Sequence, residues 1–360
     1  MKVLKSAERF GKKFLIGLIK LFIKQDNLST SDIDPTEVTR IIIVHLDRKI
    51  GNLILSTPLF EATNKVFVNA TIDIVIASPV KVLIDSSPFI QNIYEFNHTG
   101  FIRNPFKLFS LLSAVRKNNY QVAIESSNPS GTSFLNGFVT YLTKAKNRIG
   151  FSGGGGELFT NIHIIPNSKD HYFISKQKLV TPFSNINSEI KPKIFADKNE
   201  VNLLKQGLVA SYNLVPNQNI IGLWIGARDR KKWDIENFYA IYNNLKTNSK
   251  YFPILLFGIE ETSLFQTIDK SNYNSILFND LNKLKNFISC CEVFISGDTG
   301  PLHYAYALDV ITIGIFLQDN YSTYGYSSEG KNFIVKPGKT EDMIDEVIRI
   351  CKTFEMKSEQ

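Results

Sequence analysis

Along most of the chain, short apolar runs alternate with longer amphipathic stretches, and each run ends in a polar or glycine-bearing turn. Arg40–Leu46, RIIIVHL, carries apolar residues at both parities, as expected of a parallel strand buried on both faces. After it, Asp47–Gly51 reads as a polar turn, and Leu53 onward as a helix kinked or restarted near Pro58. Ile72–Ala77 is the next strand, completing a βαβ unit whose first loop lies at the carboxyl edge of a strand, where open parallel sheets bind ligands. The alternation continues with strands over Ile93–Phe96, Val122–Glu125 and Arg148–Phe151, and helices over Pro105–Lys117 and Thr132–Thr143.

A proline-bearing connection over about 167–200, with a helix at Tyr172–Val180, separates this half from a second α/β alternation. There the strands read as Ile220–Ile225, Ile254–Phe257, Ser275–Phe278, Val293–Ser296 and Val310–Phe316, and helices as Asp234 (N-cap) to Leu245, Leu281–Cys290 and Thr340–Phe354. A chain of 360 residues suits two domains of about 150 each. The expected division is 37–185 and 186–340, with a C-terminal helix and tail over 341–360.

Residues 1–25 follow a different pattern. Val3, Ala7, Phe10, Phe14, Leu18 and Leu21 recur at steps of three and four, while Lys2, Lys5, Arg9, Lys12 and Lys13 fall largely on the other side. This is a basic amphipathic helix, suited to an anionic membrane surface or to packing against the protein's own body. Lys20 interrupts its best apolar stretch and no small-residue cleavage site follows, which argues against spanning or secretion. Residues 26–36 read as a linker.

Composition adds little to this picture. The hydrophobic share of 43% is that of a globular protein, and the net charge of +7 is spread except at the N-terminus, so charge gives no reason to expect nucleic acid as a partner. Cys290, Cys291 and Cys351 have no metal-ligand spacing, and a reducing compartment fits them.

Candidate chemistry gathers where strands end. Phe294–Ala307, FISGDTGPLHYAYA, puts a strand, a glycine-bearing turn with Asp298, Thr299 and Gly300, and a helix start near Leu302 in sequence. Free N–H groups and the positive end of the helix dipole make such a turn a place for phosphate, or else an ordinary capped turn. Beyond Ile225, Gly226 and Ala227 leave room for close backbone approach, and Arg228, Arg230, Lys231 and Lys232 supply positive charge. Gly258 and Glu261 follow the next strand, a usual place for a carboxylate that holds ribose hydroxyls. Four consecutive glycines at 153–156 read as a mobile loop, either a plain surface loop or one that moves over an acceptor.

Three of these segments together resemble glycosyltransferase family nine, the ADP-heptose:lipopolysaccharide heptosyltransferases. Leu46–Pro58 reads LDRKIGNLILSTP where the family has a pattern like RLDRIGDxxLxTP. Gly226–Trp233 reads GARDRKKW for GAxxxxKxW, and Gly297–Leu308 reads GDTGPLHYAYAL for NDTGPxHLAAAL. The likeness runs over roughly 40–350 and leaves out the N-terminal arm.

The resemblance implies a GT-B architecture, an α/β fold in which two Rossmann-like domains face each other across a cleft, here with an extra N-terminal helix. The first domain takes the acceptor and the second the nucleotide sugar. It implies inverting, metal-independent sugar transfer to lipopolysaccharide or another envelope glycan, without cofactor, on the cytoplasmic side of the inner membrane. Gly226, Ala227, Arg228, Lys231, Gly258, Glu261, Asp298, Thr299, Gly300 and His303 become the donor site, with Lys231 rather than Lys232 on the diphosphate. Arg48, Lys49, Gly51 and Asn52 become the acceptor side. Asn52 stands where the family has the aspartate taken as base, and an amide has no useful basicity. Asp47, the nearest spare carboxylate, is the substitute base. The alternative is an accessory protein that binds the nucleotide sugar without transferring it.

Overall fold

A computed structural model of the chain describes residues 27–129, 133–153, 158–184, 189–215 and 218–353. The amphipathic helix read over 1–25 lies outside the described residues, as do three of the four loop glycines. Gly153, the remaining one, has φ +95°, a backbone that favours glycine.

The chain divides into two compact units. The first comprises 1–48, 56–81 and 88–190; the second comprises 49–55, 82–87 and 191–360. The short segment Lys49–Leu55, read from sequence as part of the first domain, is thus grouped with the second unit.

In the first unit, β1 (Arg40–His45), β2 (Thr71–Ala77), β3 (Ile93–Phe96), β4 (Val122–Glu125), β5 (Asn147–Phe151) and β6 (Ile162–Ile164) form one parallel sheet in the order β3-β2-β1-β4-β5-β6. Five of the six residues of β1 are buried, as its continuous apolar run requires, because helices cover both faces. The helix expected to be kinked near Pro58 is two helices, α1 (Ile50–Ile54) and α2 (Thr57–Val66), with the proline in the first turn of α2 where a missing N–H costs nothing. α3 (His98–Arg103) and α4 (Pro105–Arg116) connect β3 to β4, and Leu112 and Val115 of α4 are buried. α5 (Phe134–Leu142) follows β4, and α6 (Tyr172–Gln177) follows β6. Residues 27–36 are tied down as well: Leu28 N–H donates to the Asn161 carbonyl at 2.8 Å, and Ile33 is buried.

The second unit repeats the plan. β7 (Asn219–Trp224), β8 (Tyr251–Gly258), β9 (Ser275–Phe278), β10 (Val293–Gly297), β11 (Ile311–Ile315) and β12 (Asn332–Val335) pair in parallel in the order β12-β11-β10-β7-β8-β9. It opens with α7 (Lys198–Tyr212), which starts where the expected connection over about 167–200 ends and has no counterpart in the sequence pattern, since only Leu208 of its fifteen residues is buried. α8 (Ile235–Lys246), α9 (Thr262–Thr267), α10 (Leu281–Ile288), α11 (Gly300–Ala307) and α12 (Tyr321–Tyr324) alternate with the strands. The C-terminal α13 (Thr340–Thr353) lays Met343, Val347 and Ile350 into the same core as Ile241 and Leu255. Each such side chain contributes about 2 kcal/mol by leaving water.

Both sheets reverse direction of strand order once, between β1 and β4 and between β7 and β10. Loops leaving the carboxyl ends of those neighbouring strands diverge to opposite faces and open a crevice. The residues after His45, Glu125, Trp224 and Gly297 are therefore where chemistry is to be sought.

Candidate active site

At the β7/β10 switch point, register pairs Trp224 with Ser296, so the Gly226–Lys232 loop and the Gly297–Gly300 turn emerge side by side. A single helical turn over Asp229–Lys231 follows, with Asp229 at φ +53°. The Lys231 Nζ stands 2.6 Å from Asp298 Oδ2. Asp298 is 5% exposed, and Asn320 Nδ2 donates to the same oxygen at 2.7 Å. A buried carboxylate thus aims an ammonium that is itself 40% exposed. Trp224, Gly226, Lys231, Trp233, Gly297 and Leu317 line a small cavity beneath this pair.

α11 begins directly after Thr299, with Pro301 in its first turn. No side chain caps this end. The Thr299 hydroxyl is instead 2.9 Å from Ser296 Oγ, so the helix N-terminus keeps its positive end for another partner.

His303, one turn further, is buried, and its Nδ1 shares a 2.6 Å hydrogen bond with Tyr326 Oη. The Tyr326 ring stacks on Tyr306 at 3.5 Å between centroids. Gly51 of α1 lies against the other side of the imidazole: a Cβ there would stand 2.7 Å from His303 Cδ2. A Cβ on Gly300 would meet Ile50 Cβ at 3.2 Å. The glycines of the first and third motifs therefore let α1 and α11 touch backbone to backbone, within the second unit.

Glu261 reaches back under the same loop. A Cβ at Gly226 would be 2.8 Å, and at Gly258 3.0 Å, from its Oε2, so the carboxylate lies close against both glycines. Burial, then the neighbouring Glu260, raise its pKa. Arg228 is placed otherwise: its guanidinium forms an exposed two-pronged pair with Glu260, Nε to Oε2 at 2.7 Å.

At the β1/β4 switch point of the first unit, register pairs Val44 with Glu125. Glu125 is fully buried and accepts from Asn136 Nδ2 at 2.7 Å and Ser127 Oγ at 2.8 Å. Lys176, on α6, is also fully buried; its Nζ donates to the Ser126 carbonyl at 3.0 Å and to that of Ser127. Burial pushes the Lys176 pKa down to about 7 against the pull of Glu125 and Asp47, and pushes Glu125 up. None of this cluster was read as functional from sequence. A glutamate ending an apolar strand, VAIE, was the available signal.

His45 completes the cluster. Its Nδ1 is 3.1 Å from the Ser126 carbonyl, which can only accept, so Nδ1 carries the hydrogen; Nε2 has no hydrogen-bond partner among the described residues. Burial, then the Lys176 cation, lower its pKa from 6.5 to about 4. Between those values the unfolded chain binds the proton and the folded one does not, so stability present above pH 6.5 is lost as pH falls toward 4. That contribution is about 3 kcal/mol. In His45→Asn, which keeps an N–H donor and does not titrate, urea unfolding at pH 4 and pH 6.5 should differ by that much less than in the wild type. Equal differences would mean that His45 is not held neutral.

The structure thus brings Lys231, Asp298, Thr299 and Gly300 together, with Gly226, Ala227, Gly258 and Glu261 beside them and Gly51 against His303. Asn52 lies in α1, grouped with the second unit. Arg48 and Lys49 are exposed, and Asp47 is half-buried in the first unit, where its charge acts on His45 and Lys176. Asn320 and Tyr326 were not anticipated; they lie after β11 in a stretch without a motif.

No curated protein matches the chain by sequence. Among solved structures, a glycosyltransferase family 9 protein from Veillonella parvula shares the fold at 16% identity and a TM-score of 0.74, covering 93% of this chain and 100% of its own. The ADP-heptose lipopolysaccharide heptosyltransferase II of E. coli matches at 15% identity and a TM-score of 0.66, covering 89% and 99%. E. coli heptosyltransferase WaaC with ADP matches at 15% and 0.65, covering 88% and 99%. A family model described as glycosyltransferase family 9 (heptosyltransferase) fits residues 108–343, taking in both motifs of the second unit and leaving out Leu46–Pro58. With that model over more than half of its length and the pair of Rossmann-like sheets common to these GT-B structures, the chain belongs to glycosyltransferase family 9.

Proposed function

We propose that this enzyme moves a heptose or related sugar from a nucleoside diphosphate, ADP in the first instance, to a lipopolysaccharide or other envelope glycan, with inversion and without a metal or cofactor. The observation that carries the reading is the Lys231–Asp298 pair beside the uncapped start of α11. In the reaction the acceptor hydroxyl oxygen attacks the anomeric carbon, the bond from that carbon to the diphosphate breaks, and the nucleoside diphosphate leaves with the electron pair. The negative charge growing on it is met by the ammonium of Lys231, which has two N–H donors beyond the one given to Asp298, and by the N–H groups at Thr299 and Gly300. Glu261 accepts from sugar or ribose hydroxyls.

The acceptor proton goes to Asp47 at the carboxyl edge of the first sheet, because Asn52 orients but cannot accept it. Work on the cytoplasmic face of the inner membrane, with the arm at 1–25 on the lipid, suits such an acceptor; no described helix is long and apolar enough to cross a membrane. Asn52 also favours a second reading, an accessory protein that binds the donor and transfers nothing.

Calorimetry with ADP, UDP, GDP and CDP tests the donor site, with ADP expected to bind most tightly. Transfer from ADP-heptose to a heptose-deficient lipopolysaccharide separates the readings: turnover excludes the accessory protein, and tight nucleotide binding without turnover on any acceptor supports it. Absence of binding to all four nucleotides would sink both.

A further inference from the structure

α3 and α4 of the first unit turn one face inward and leave another that their own unit does not cover. Phe101, Leu108, Leu111 and Val115 pack on the sheet, and Leu112 is buried beside them. Phe106 and Phe109, one helical step of three apart and off that stripe, are 81% and 67% exposed. Two large aromatic rings so exposed on one short helix are an apolar surface looking for a partner.

The charges around them say which partner. From Phe96 to Ile124 the sequence has Arg103, Lys107, Arg116 and Lys117 and no Asp or Glu. Arg103, Lys107 and Lys117 are exposed. Glu95, the acid just before this stretch, is paired with Lys81 at 2.9 Å. α3 starts two residues beyond the carboxyl end of β3, and in an all-parallel sheet that is the same edge as the loop after β1. Exposed Arg48 of that loop is close enough to act on His98: burial first, and then the Arg48 charge, lower the His98 pKa. Aromatic rings ringed by cations match an anionic bilayer, with rings at the acyl boundary and cations among headgroups.

We propose that the α3–α4 face, through Phe106, Phe109, Arg103 and Lys107, docks the first unit onto an anionic phospholipid surface. It is a contact separate from the arm at 1–25 and does not depend on the donor or the reaction. Two contacts hold better than one, since a single shallow insertion gives only weak, reversible binding. Docking here would set the loop of Arg48 and Asp47 beside the membrane, where the sugar of a lipid-anchored acceptor begins.

The test is co-sedimentation of the full chain with vesicles of phosphatidylcholine alone and of phosphatidylcholine with phosphatidylglycerol. The arm is common to all variants, so ratios between them report this face. Phe106→Ser with Phe109→Ser should lower the partition coefficient on anionic vesicles about tenfold, and Arg103→Gln with Lys107→Gln by about fivefold for each cation removed. Binding of the wild type to neutral vesicles should be weak. Unchanged binding in both double variants overturns the proposal, and so does a loss confined to the phenylalanine pair, which would point to an apolar protein surface. A wild-type dimer that the phenylalanine pair converts to monomer, with vesicle binding intact, would show that a second copy covers this face instead. Thermal melting confirms that the variants fold, and nucleotide binding measured alongside reports the donor site separately.

Discussion

Replacing Lys231 with methionine is expected to lower kcat/KM for sugar transfer by on the order of a thousandfold, the scale of losing one preorganised group that meets transition-state charge. The bond to the diphosphate breaks with its electron pair, so the ammonium matters most when the leaving group is most charged. Hence kcat should fall more than KM rises. Asp298 is buried and would lose its ion-pair partner, keeping Asn320 alone; a modest stability loss should accompany the kinetic one. Lys231→Arg keeps the charge on a longer, planar head and should recover only part of the activity. Lys232→Met, on the same loop, should change activity by a few-fold at most. A larger effect at Lys232 than at Lys231 would show that the wrong lysine had been assigned to the diphosphate.

Lys176→Met is expected to destabilise the protein by about 3 kcal/mol in urea unfolding at neutral pH, because two buried carbonyls lose their donor and Glu125 loses a nearby positive charge. It would leave Glu125 with the Asn136 and Ser127 hydrogen bonds and no cation, and would strip a donor from the Ser126 and Ser127 carbonyls. Burial already raises the Glu125 pKa, and without Lys176 its protonated form gains further ground, so the cost should shrink at lower pH. Combining Lys176→Met with Glu125→Gln should return a large part of the loss, because a neutral amide can still accept from Asn136 and donate to Ser127. Strict additivity of the two substitutions would mean that they do not act as a pair.

The cluster also bears on how much a sequence can reveal. Glu125 and His45 sit at the ends of strands that their apolar runs made plain, yet nothing near them in the chain announces a partner. Lys176 arrives from a helix about fifty residues away. Pairing of this kind is decided by strand order: β1 and β4 become neighbours only because the sheet is wound from its middle outward. The short strands β6 and β12 were missed for a related reason. They are edge strands of three and four residues that pair with one neighbour only, so the sheet rather than the local pattern defines them. α7 was missed because it buries so little of itself.

The opposite holds for the donor side. A glycine-bearing turn between a buried strand and a helix is local chemistry, and the segments Gly226–Trp233 and Gly297–Leu308 carry it within a few residues each. The family, the doubled α/β plan and the place where α11 starts could therefore be read from residues alone. Tertiary structure alone decided which carboxylate aims Lys231 and that Arg228 goes to Glu260. It also decided that Gly51 is a packing glycine against His303, so that Lys49–Leu55, the middle of the first motif, joins the second unit. Local sequence dictates which backbone groups and charges a turn offers, but which of them meet depends on the register and order of strands far apart in the chain.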